Sequence, residues 1–166
     1  MGLFDGLPLS YKPKYLKDFS HRKKVRKSYT QKEAAVIAPQ FLKIVEDCTN
    51  LVNTTIKPDV YFKRYDLMVS CLVELKKMQH VIKFKGKGKK PSSYLKEVLH
   101  TRDKQLEFFM NRIYDAAVQK ITSLSTAKAK ENHIIKFTET MDSIRCELTP
   151  ELNAKIYDMI LALKEL

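Results

Sequence analysis

Residues 81–93, VIKFKGKGKKPSS, gather five lysines and two glycines with no acidic side chain among them. Ammonium groups and the exposed backbone N–H groups of glycine-rich loops both attract phosphate oxygens, so anion binding is the chemistry to test first. The spacing excludes one version of it. A nucleotide-triphosphate loop reads G-x-x-x-x-G-K-[ST] after a strand. Here Gly86 and Gly88 stand two apart, Lys89 is followed by Lys90, and the preceding residues have helical periodicity. What is left is an array of point charges.

A second pattern suggests a metal. Glu97 and His100 fall at i and i+3 within EVLH. Two such pairs, with further carboxylates from neighbouring helices, build the di-metal centres of helical bundles. No second copy exists: Lys77 stands three residues before His80, and Lys130 three before His133. The pair is half a motif, and the expectation is no metal and no cofactor. Cys48, Cys71 and Cys146 are odd in number, widely spaced and without a C-x-x-C pair, which reads as reduced thiols in a cytoplasmic protein. The four histidines (21, 80, 100 and 133) are scattered and lie in no nucleophile signature. The chain is therefore read as non-enzymatic. A helical-bundle enzyme with an unrecognised site is the weakest alternative.

The net charge of +12 is unevenly spread. Residues 1–32 hold nine Lys/Arg against Asp5 and Asp18, and residues 76–90 hold seven lysines against no acid. Each segment thus carries +7, and the rest of the chain is close to neutral. A general solubilising bias would not segregate in this way. Tyr11, Tyr15, Tyr29 and Tyr94 flank the two segments. Tyrosines beside lysines either pack an arm onto a domain or offer stacking faces to a single strand.

The elements that must carry these charges read as helices. With 166 residues, 44% hydrophobic, and only four glycines and six prolines, the chain suits one all-α domain better than a turn-rich β fold. Residues 1–29 form an expected basic arm. Its apolar anchors (among them Leu3, Phe4, Leu7 and Phe19) are able to dock on a domain of residues 30–166, a bundle of about five helices. Thr30 and Glu33 make a capping-box pattern for the first helix, in which Pro39 predicts a kink or a fresh start. Pro58 and Asp59 suit a second helix start. Ser92 or Ser93 is expected to cap a long third helix running to about Leu124. STAKAKENH (125–133) predicts a break, since it holds no large apolar side chain. TPEL (149–152) predicts the last helix start. The longest apolar run, LMVSCLVEL, is far too short to span a bilayer. The start of the chain lacks the basic lead and continuous apolar centre of a secretory signal.

The segment NTTIKPDVYFKRYDL (53–67) resembles a stretch found in uncharacterised bacterial proteins. The resemblance covers about a tenth of the chain, and it implies no activity.

Connectivity joins the two charged segments. Short connections make successive helices antiparallel. If the first helix descends from Thr30, the second returns to the same end near His80. The run before Thr30 and the loop after His80 then meet. The expected anion site is Arg22, Lys23, Lys24, Arg26 and Lys27 with Lys83, Lys85, Lys87, Lys89 and Lys90. Its expected partner is nucleic-acid phosphate, contacted without base readout, or an acidic protein face. The competing class is a helical adaptor that binds another protein through an apolar surface.

Overall fold

In the computed structural model the described residues are 29–84 and 90–166. Of these, 83% are helical and none lies in a strand, so the chain is all-α. The six α-helices among them are α1 (Gln31–Thr54), α2 (Pro58–Met78), α3 (Pro91–His100), α4 (Arg102–Thr122), α5 (Ala127–Asp142) and α6 (Pro150–Lys164). A 3-10 turn, Arg145–Glu147, precedes α6. They gather into two compact units. Among the described residues, one comprises residues 29–52 with those of Phe62–Val98, and the other Asn53–Tyr61 together with Leu99–Leu166. The expected arm of residues 1–29 lies outside the described residues, apart from Tyr29.

In the first unit, α1 starts as its sequence predicts. The Thr30 N–H donates to Glu33 Oε2, and the Glu33 N–H donates to Thr30 Oγ1, each at 3.2 Å. These two bonds satisfy donors that a helix start otherwise leaves open. Thr30→Ala is therefore expected to lower stability by about 1 kcal/mol, read from the midpoint of urea unfolding. Pro39 does not restart the helix: α1 is continuous from Gln31 to Thr54. Ile37, Ala38, Phe41, Ile44 and Val45 are buried on either side of the proline. Burial of that magnitude, about 2 kcal/mol for each large side chain, outweighs one missing helix bond.

The helix α2 buries Tyr65, Met68, Leu72 and Leu75, as the 3–4 spacing predicts, and also Leu67, Cys71 and Met78. Two polar contacts, Thr49 with Tyr94 and Tyr65 with Val98, tie it and its neighbours together. Thr49 Oγ1 donates to the Val45 carbonyl at 2.7 Å and lies 3.1 Å from the Tyr94 hydroxyl. The Tyr65 hydroxyl donates to the Val98 carbonyl at 3.1 Å. The expected serine cap of the third helix is corrected. The helix begins at Pro91, ahead of both serines, with the Lys90 carbonyl accepting from the N–H groups of Ser93 and Tyr94, both at 3.0 Å. The side chain that serves this helix start is Gln79, whose Oε1 accepts from the Ser92 N–H at 3.2 Å.

In the second unit, α4, α5 and α6 pack on one another. Tyr61 and Phe109 stack with ring centroids 4.1 Å apart and planes 14° from parallel. The Arg112 guanidinium lies 5.7 Å from the Phe109 ring centre and donates through Nε to the Thr55 carbonyl at 3.2 Å. Met110, Ile121, Met141, Ile144 and Ile156 complete the core.

Two further helix boundaries differ from expectation. The helix predicted over 92–124 divides at Thr101, whose φ of −94° and ψ of 9° leave the helical region. No Gly or Pro marks the division, and apolar spacing runs across it. The break predicted over 125–133 shrinks to residues 123–126. Thr126 Oγ1 accepts from the Ala129 N–H at 3.3 Å, and AKAKENH is helical. Alanine, lysine and glutamate are strong helix formers, so the lack of an apolar side chain does not stop a helix there. At the last helix, Thr149 Oγ1 accepts from the Leu152 N–H at 3.3 Å with Pro150 in the first turn, as TPEL predicts.

Candidate anion-binding site

The antiparallel return of α2 alongside α1 brings the flanks of both charged segments to one end of the first unit. Three observations place them. The Tyr29 hydroxyl, just before α1, donates to Glu74 Oε2 at 2.5 Å. Gln31 and Ala35 of α1 face Gln79, His80, Ile82 and Lys83 across a shared groove. The bond from the Ser92 N–H to Gln79 fastens the start of α3 beside the end of α2. Where α2 ends, the Met78 carbonyl accepts from the N–H groups of Val81 and Ile82, at 3.0 and 3.1 Å. Lys83 and Lys90, the two site residues within the described part, are both exposed at this end. Arg22, Lys23, Lys24, Arg26, Lys27, Lys85, Lys87 and Lys89 lie outside the described residues.

Sequence reasoning misses Glu74, although that residue positions this end. It is 7% exposed and accepts from Tyr29 through one carboxylate oxygen and from Lys77 Nζ, at 2.7 Å, through the other. A buried carboxylate is stable only when paired and hydrogen-bonded. The Glu74 pairing thus holds residue 29 against α2, close to where Lys83 emerges. Its one sequence signal is a lone acid inside the apolar run MVSCLVEL. Lys32 and Lys76 are also exposed at the start of α1 and the end of α2.

None of the protein-family models, curated proteins or solved structures compared with this chain matches it.

Glu97 and His100 are both exposed on α3. Among the described residues, no three His, Cys, Asp or Glu side chains come together in a group able to hold a metal ion. Cys48 and Cys71 are buried, while Cys146 is exposed. Burial pushes the Cys48 thiol up, with Arg64 opposing, and burial pushes Cys71 far up, reinforced by Cys48 and Glu74. Thiolate is the reactive form. In a thiol titration near neutral pH, the folded protein is expected to react promptly through Cys146 alone, and all three cysteines are expected to react in denaturant. No helix among the described residues is long and apolar enough to cross a membrane.

Proposed function

We propose that this chain is a non-enzymatic helical protein whose basic end binds an anionic polymer, nucleic acid first, through phosphate contacts without base readout. The observation that carries this reading is the meeting of Tyr29 with Glu74, and of Gln31 with Lys83, at one end of the first unit. Each of these positions lies within or beside a segment of +7 charge in the sequence. Lys83, Lys85, Lys87, Lys89 and Lys90 act with Arg22, Lys23, Lys24, Arg26 and Lys27. Lysine and arginine displace condensed counterions from the phosphate backbone, and that release drives association. Phosphates are alike along a strand, so such contacts carry no sequence information. Tyr94 bonds Thr49 inside the first unit, which leaves stacking on bases as no part of this reading for that residue. Buried thiols and the basic charge fit a cytoplasmic location, which belongs to the same proposal.

The test is retardation of generic DNA and RNA at two salt concentrations, with anionic vesicles in parallel. Binding of unrelated sequences with similar affinity, lost as salt rises, supports the reading. No binding of either nucleic acid at low salt overturns it, and binding of vesicles alone replaces nucleic acid with a membrane surface as the partner.

A further inference from the structure

The face that α5 and α6 present in the second unit leaves large apolar side chains open. Ile135 on α5 is 49% exposed, and Tyr157 and Leu161 on α6 are 68% and 56% exposed. Between the two helices, half-buried Ile134 and Ile160 line a shared groove whose edges carry exposed Glu131, Glu139 and Lys164. Among the described residues these three charges enter no ion pair. An apolar patch rimmed by charge marks a contact surface.

The register of the two helices decides which contact the face fits. The connection from Asp142 to Pro150 is short, so α5 and α6 run antiparallel. Lys130 Nζ donates to the Leu166 carbonyl at 2.7 Å, which sets the start of α5 level with the end of α6. Both helices climb at the same rise per residue. Stepping forward along α5 and back along α6 therefore brings level, to within a turn, Glu131 with Lys164, Ile135 with Leu161, and Glu139 with Tyr157. A second copy related by a two-fold axis parallel to the helices lays its α6 over α5 of the first, antiparallel and at those same levels. Each level then meets its complement across the contact: carboxylate with ammonium, isoleucine with leucine, carboxylate with phenol hydroxyl. The symmetry makes every pair twice. An axis across the helices instead sets Glu131 against Glu139 of the copy, acid on acid. The area also suits a second copy. With 16 residues in α5, a face two helices wide measures about 24 Å by about 20 Å, so two such faces bury about 1,000 Å² together, the size of a weak, specific interface.

We propose that the α5–α6 face is an isologous contact with a second copy of this chain, a four-helix arrangement in which Ile135 packs on Leu161 of the second copy and Glu131 pairs with Lys164 of the second copy. The contact needs no nucleic acid, so it stands or falls separately from polymer binding. At the submicromolar protein of an unfolding titration the chain is a monomer, and substitutions on this face leave its stability there unchanged.

The experiment is sedimentation equilibrium on the full chain without nucleic acid, from submicromolar protein to about 200 µM, the range in which a contact of this size associates. The mass is expected to climb from that of one chain toward that of two. Ile135→Asp should hold it at one. Glu131→Lys alone sets Lys against Lys at both symmetric pairs, and Lys164→Glu alone sets Glu against Glu, so each is expected to weaken self-association by about tenfold. Mixing the two variants restores both pairs in the mixed dimer, and association should return to near that of the unsubstituted chain. A far-ultraviolet spectrum unchanged in each variant keeps the comparison among folded chains. The proposal is overturned if the unsubstituted chain keeps the mass of one chain throughout. It is equally overturned if Ile135→Asp associates as before, or if the mixture of the two charge variants associates no better than either variant alone.

Discussion

Replacing Lys83, Lys85, Lys87, Lys89 and Lys90 together by glutamine is expected to weaken binding of a generic duplex by about two orders of magnitude at ~50 mM salt. The slope of log affinity against log salt should fall by about three to five, because each phosphate left unneutralised keeps roughly one counterion that binding would otherwise release. The loss should be similar for unrelated sequences. Fluorescence anisotropy across a salt series reads both quantities. The same variant should unfold within about 0.5 kcal/mol of the parent, since exposed lysines make little contribution to folding. Lys83 and Lys90 are exposed and form no ion pair among the described residues, in contrast to Lys77 beside Glu74. A variant that loses affinity with an unchanged salt slope would contradict the counterion mechanism. Weaker binding of one sequence alone would contradict the absence of base readout.

Phe109→Ala is expected to have the largest effect on stability, about 3–5 kcal/mol. Phe109 is 0% exposed, stacks on Tyr61 at 4.1 Å and lies beneath Arg112. Truncation opens a cavity, removes the ring stacking and uncovers Arg112, whose pKa burial already lowers, with Tyr61 opposing. A loss of that size is a large share of the roughly 5–15 kcal/mol that holds a typical domain folded. Phe109→Leu keeps most of the buried volume and gives up the stacking, worth about 1 kcal/mol, so it should lose clearly less. Leu161, 56% exposed on α6, serves as the comparison: Leu161→Ser should stay within about 0.5 kcal/mol. Guanidinium unfolding midpoints at a shared slope provide the ordering, and equal losses for Phe109→Ala and Leu161→Ser would refute the assignment of Phe109 to the core.

Helix starts were legible where a side chain performs a local task. Thr30 with Glu33, Pro58 and Thr149 each do so within a turn, and each bond or position appears as the residue types imply. Features set by residues distant in sequence were not legible. Gln79 lies thirteen residues before Ser92, yet its amide oxygen accepts from the Ser92 N–H and takes over the role expected of serine. Glu74 meets Tyr29 across forty-five positions. The division at Thr101 carries neither Gly nor Pro, and apolar residues keep their 3–4 spacing through it, so periodicity alone reads one helix. Of the candidate site, the shared end of the first unit followed from connectivity. Its anchoring by a buried carboxylate required the packed structure.

The Gln79–Ser92 bond has a consequence for how this protein tolerates change. It closes the base of the lysine-rich connection with one side chain and one backbone N–H, and it adds to the Tyr65–Val98 bond that already ties α2 to α3. A change of length within residues 85–89 is then expected to cost this scaffold little. Doubling a connection adds only about 0.6 kcal/mol of closure entropy. The molecule is therefore expected to act as a socket with an exchangeable insert at residues 85–89: the scaffold that Gln79 and Ser92 join stays as it is, while the sequence of the insert is open to being lengthened, rewritten or replaced by a foreign one.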